Sequence, residues 1–151
     1  MKKLLFTALL AALSAIAQAK PYPQHDIGKI VQPDHVDMQL ADQVLSDLYD
    51  QAGNYPPRFD NAADQQRAAA EAAQLNRLFQ GMIKVKAVTP QQPVPYINVL
   101  YRLARLNVMA HNMDVPNAAA QADRYFQEMG GVLKSMLPEK IKRHQGKELY
   151  D

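Results

Sequence analysis

The chain has 151 residues and no cysteine, which excludes a disulfide framework, a thiolate metal site, a cysteine nucleophile and a lipid anchor on a processed N-terminal cysteine. Its 17 Lys and Arg against 15 Asp and Glu give a formal charge of +2. Both excess cations, Lys2 and Lys3, belong to the first nineteen residues. The rest of the chain is formally neutral, so charge makes no case for a nucleic-acid partner.

Those nineteen residues read as a secretory signal peptide. Lys2 and Lys3 are followed by an apolar run from Leu4 to Leu13 and by the small-x-small site Ala17-Gln18-Ala19. The run is too short to span a bilayer, which takes about 20 apolar residues. The expected working protein is therefore Lys20 to Asp151, exported, with the bacterial periplasm as its compartment and no transmembrane anchor. Residues 20–33 contain Pro21, Pro23 and Pro33 and read as an extended N-terminal arm that is free to move.

A helical domain is expected over residues 34–138. Asp34 after Pro33 is placed to cap the first helix, with Asp37 in its first turn. Met38, Ala41, Val44, Leu45, Leu48 and Ala52 fall on one helical face. Gly53-Asn54 stops the helix and Pro56-Pro57 prevents continuation. The second helix is expected from Asp60 or Asn61, with a buried stripe of Ala68, Ala72, Leu75, Phe79 and Met82 and an end weakened by Gly81. Three prolines between Lys84 and Pro95 mark a loop.

The third helix, about Tyr96 to Met113, is apolar around most of its circumference and should be central. Its polar break is Asn98, Arg102 and Arg105 on one side, with Asn107 apart. The fourth is expected from Pro116 or Asn117 to Met129, with Ala118, Ala119, Ala122, Tyr125, Phe126 and Met129 as its apolar face and Gly130-Gly131 as a break or kink. A polar, basic tail follows at residues 139–151. No segment alternates with a two-residue period, so the expected fold is all-α, with about four antiparallel helices.

Charge is unevenly placed. Asp34, Asp37, Asp42, Asp47 and Asp50 precede Pro57 with no Lys or Arg among them, whereas Arg67, Arg77, Lys84, Lys86, Arg102 and Arg105 share their stretch with one acid, Glu71. The acidic first helix is expected beside the basic middle of the domain, with two separate binding surfaces as the alternative.

Three constellations are candidates for function. Tyr101, Arg102 and Arg105 are placed to line a groove for a partner helix or an acidic peptide; the alternative has both arginines pairing with aspartates of the first helix. Met109, His111 and Met113 are the residue types that bind copper in an exported protein. Met109 and Met113 share a helix face, but His111 lies about 200° from Met109 at 3.6 residues per turn, so the alternative has both methionines in the core. His25-Asp26 and Asp34-His35-x-Asp37 are metal-like clusters that capping and local hydrogen bonds explain equally. No catalytic motif is present: no Gly-x-Ser-x-Gly, no His-Glu-x-x-His and no phosphate loop.

Leu103-x2-Leu106-Asn107-x2-Ala110, then Ala122-x3-Phe126 and Pro138, resembles one tetratricopeptide repeat unit over about residues 100–138. Asn107 stands where that pattern has glycine, Ala110 where it has tyrosine, and the spacing between the two parts is longer. The resemblance implies a binding scaffold without catalysis. The expected function is an exported, non-catalytic helical protein that binds a protein or peptide. A copper-binding protein and an enzyme with a dispersed site are the alternatives. A second copy of the chain is a further candidate to cover the third helix.

Overall fold

A computed structural model of the chain describes residues 21–137. The expected signal peptide and basic tail lie outside the described residues. Among the described residues the architecture is four α-helices: α1 (Met38–Ala52), α2 (Ala62–Lys84), α3 (Pro93–Asn112) and α4 (Ala118–Met136), preceded by a short 3-10 turn at Ile27–Ile30. No strand occurs there, only an isolated antiparallel bridge between Val31 and Val36.

Central placement follows from the apolar girth of α3. It packs against α1, α2 and α4, most extensively against α4. Leu100, Leu103 and Ala104 are fully buried, and Val44, Leu48, Leu75 and Phe79 meet the same core from α1 and α2. Polar side chains tie the helices together. Buried Asn112 donates to the Ala52 carbonyl at 2.8 Å, satisfying the end of α1. Gln80 of α2 donates to the Tyr125 hydroxyl of α4 at 2.9 Å, and Tyr96 of α3 donates to Glu128 of α4. Asn107, a polar break on α3, is also buried and donates back to the Leu103 carbonyl at 2.7 Å.

The helix ends show where local signals suffice. α2 starts next to the expected position, at Ala62, with Asn61 as its cap accepting from the Asp64 amide at 2.9 Å, and Gly53 ends α1 with its amide on the Tyr49 carbonyl. The cap of α1 is one turn later than expected. Asp37 accepts from the Leu40 amide at 2.9 Å, while Asp34 sits exposed in a tight turn closed by Gln32 N–H on the His35 carbonyl at 2.9 Å. The arm and Asp37 are joined by the Asp37 amide on the Ile30 carbonyl at 2.7 Å, so residues 33–36 are taken up by that turn and cannot begin a helix.

Two other expectations need correction. Pro93 and Pro95 lie inside the first turn of α3, where an amide has no intrahelical partner to lose, so the loop before it is shorter than predicted. α2 continues through Gly81 to Lys84, where the loop was expected to begin. It closes with Lys86 left-handed at φ 60°, the Lys86 amide on the Ile83 carbonyl and the Ala87 amide on the Met82 carbonyl, the Schellman pattern. The same pattern ends α3, with Asp114 at φ 61° and the Val115 amide on the Ala110 carbonyl. Finally, α4 runs unbroken through Gly130-Gly131 to Met136. Met129 and Val132, on either side of the pair, both pack against the core, and that contact outweighs a glycine cost of about 1 kcal/mol each.

The described part of the expected arm, residues 21–33, is built into the domain: Tyr22 is 3% exposed and Ile30 fully buried.

Candidate functional site

Two clusters bring together chemically capable side chains. The first pins the arm to α1 and α2. Tyr22 donates to Glu71 Oε2 at 2.6 Å. The ring of His25 lies between two carboxylates, Nδ1 at 2.7 Å from the same Glu71 oxygen and Nε2 at 2.9 Å from Asp47 Oδ2. Arg67 Nη2 donates to the Tyr22 carbonyl at 2.7 Å and to Asp64 Oδ1 at 2.8 Å, and its guanidinium lies 5.6 Å from the Tyr22 ring centre. Phe59 closes the other side, edge-on to Tyr22 at 5.8 Å. Glu71 is buried, and a buried carboxylate persists only with partners of this kind.

The electrostatics of Tyr22 follow from that enclosure. Burial, then the hydrogen bond to Glu71, push its hydroxyl far above the usual tyrosine range. The same two causes push Tyr96, bonded to Glu128, up to about 12. Both hydroxyls are held neutral as donors. Because both nitrogens of His25 already face carboxylates, neither is left to act as a base on a substrate. This cluster works as a lock on the chain.

The second cluster is open. Tyr49 of α1, Tyr101, Arg105, Val108 and Met109 of α3 and Phe126 of α4 line a groove of about 230 Å³ with Gly53 at its edge. Its rings face water: Tyr49 is 47%, Tyr101 46% and Phe126 40% exposed. The Arg105 guanidinium stacks 4.7 Å from the Tyr49 ring centre and 5.7 Å from that of Tyr101. Gly53 makes the wall possible, since a Cβ there would come within 2.8 Å of the Tyr49 ring.

The groove holds two of the three residues expected to form a partner surface. Arg102 is elsewhere: its Nε and Nη2 donate to the two carboxylate oxygens of Asp42 at 2.7 Å each, and Nη1 donates to the Asn98 carbonyl at 3.1 Å. This bidentate pair joins α1 to α3, as the structural alternative for the arginines expected. Spacing on α3 pointed to Tyr101 and Arg105; Tyr49 comes from α1, and Phe126, expected on the apolar face of α4, stands exposed at the groove instead.

The copper candidates are spread between environments. Met109 and Met113 are buried in the core, whereas His111 is exposed. Among the described residues no three His, Cys, Asp or Glu side chains are arranged to hold a metal ion. His35 is exposed and pairs with Asp34 at 2.7 Å, and Asp37 is occupied as the α1 cap. No described helix is long and apolar enough to cross a membrane.

Comparison with protein families, curated proteins and solved structures finds no match for this chain. The functional reading therefore rests on the site itself.

Proposed function

We propose that this is an exported, non-catalytic helical protein that binds a partner protein or peptide through the aromatic groove between α1, α3 and α4. One observation carries this reading: three exposed aromatic rings from three different helices surround one apolar recess, with an arginine stacked between two of them. Tyr and Arg are the residues that dominate binding energy when a partner excludes water from them. Export rests on the sequence of residues 1–19. The likeness of residues 100–138 to a tetratricopeptide repeat unit adds support for a scaffold, since α3 and α4, its two helices, form two walls of the groove.

The test compares the wild-type protein with a Tyr101→Ala/Phe126→Ala variant in capturing proteins from the export compartment of the host. Both side chains are substantially exposed, so the variant should melt within a few degrees of wild type. A protein retained by the wild type and weakened at least tenfold by the variant supports the reading. Equal retention by a folded variant removes the groove as the binding site.

A further inference from the structure

Resting on the groove reading, we infer that its partner is an amphipathic helix carrying an acidic side chain beside one of its apolar anchors. Two features of the surface point to a helix. On α3, the exposed or partly exposed residues Val94, Tyr101 and Val108 are spaced by seven; on α4, exposed Phe126 and Leu133 are spaced by seven as well. Seven residues are close to two turns, so each set is a straight stripe on its helix. The two helices are antiparallel neighbours, with Tyr96 near the start of α3 bonded to Glu128 in the second half of α4. The α3 stripe is about 20 Å long at 1.5 Å per residue. A third helix laid along the two stripes meets apolar side chains at the spacing its own heptad face presents.

Charge decides the acid. Arg105 is stacked on Tyr49 and Tyr101, and among the described residues no hydrogen bond or ion pair engages its guanidinium. Arg102, one turn earlier, is engaged bidentately by Asp42 and by the Asn98 carbonyl. Of the two arginines on this side of α3, one is therefore paired with a carboxylate of the domain, and the other stacks at the groove with no described residue accepting from its N–H fork. A guanidinium pre-oriented on aromatic faces suits a carboxylate, which it can bind bidentately.

The experiment is a selection of displayed 16-residue helical peptides, apolar at heptad spacing and random elsewhere, on the purified full chain, followed by affinity measurement. Enriched peptides should carry Asp or Glu next to one apolar anchor. Arg105→Glu should weaken the best of them at least tenfold and shift a repeated selection towards Lys and Arg, and Phe126→Ala should weaken binding whatever the peptide charge. Apolar peptides without acidic preference, still weakened by Phe126→Ala, would overturn the acidic partner and leave the groove reading in place. No enrichment, or binding indifferent to Phe126→Ala, would overturn both. A dimer in sedimentation that Phe126→Ala dissociates would give the groove to a second copy. Competition at equal strength by a synthetic peptide of residues 138–151 would give it to the chain's own C-terminus. Either result overturns the inference.

Discussion

Asp47 and Tyr49 are two residues apart in α1 and serve opposite purposes. Asp47 turns towards the arm, where it meets His25 in a cluster of Tyr22, Glu71 and Arg67 closed by hydrogen bonds. Tyr49 turns towards α3, where its ring supports Arg105 at the edge of an open groove. Positions two apart lie on nearly opposite sides of a helix, so one helix divides the domain into a locked face and an open one. In the lock, charge is spent within the chain: only Arg67 Nε is buried there without a partner. In the groove, the rings face solvent and no described residue accepts from the Arg105 guanidinium, which stacks on two of them. Stability should reside in the first region and recognition in the second.

The largest effect should come from opening the lock. Glu71→Ala leaves the Tyr22 hydroxyl without its acceptor and His25 with one carboxylate instead of two, at a cost of about 3–5 kcal/mol. The arm should then become the first site of limited proteolysis, and a variant as stable as wild type with a protected arm would show that the cluster holds nothing. Leu103→Ala, at a fully buried position of α3, should cost about 2–5 kcal/mol in urea unfolding. It damages the core common to both regions, so groove binding should fall only as the folded fraction falls.

Alkali should sharpen the contrast further. Tyr22 and Tyr96 have folded-state pKa values raised above the unfolded value of 10.0, Tyr96 to about 12. Their contribution is therefore complete below pH 10 and is lost as pH rises beyond it, because the unfolded chain ionises first. Urea midpoints should fall between pH 10 and 12, and Tyr22→Phe should reduce the slope. A Tyr22→Phe profile superimposable on wild type would separate Tyr22 from the alkaline transition. The smallest effect belongs to Asp42→Ala. It removes the carboxylate from Arg102 in a partly exposed pair, which should cost about 0.2–1 kcal/mol and be masked by high salt.

Features encoded within a few residues were legible before the fold was known. The start of α2 near Asn61, Gly53 after α1 and the apolar spacing of α1, α2 and α3 act through the local backbone or one helix face, and the structure bears them out. Local signals failed where a more distant contact competed. Asp34 has the right chemistry for a cap, but the bridge between Val31 and Val36 uses its segment for a turn. Gly130-Gly131 has the composition of a break, but Met129 and Val132 hold the helix against the core. Lys86 and Asp114 close two helices in a conformation that glycine signals more plainly.

By itself, then, the sequence determined a cysteine-free chain of net charge +2 with four helices, the apolar third one central, because helical periodicity and capping are short-range properties. Tertiary structure alone decided that the arm is locked and that the groove is open. His25 reaches partners 22 and 46 residues away, and Tyr49, Tyr101 and Phe126 come from three helices. Which of the arginines pairs with an aspartate and which stays available depends on the angle at which α1 crosses α3, a quantity set by how the side chains of the two helices pack.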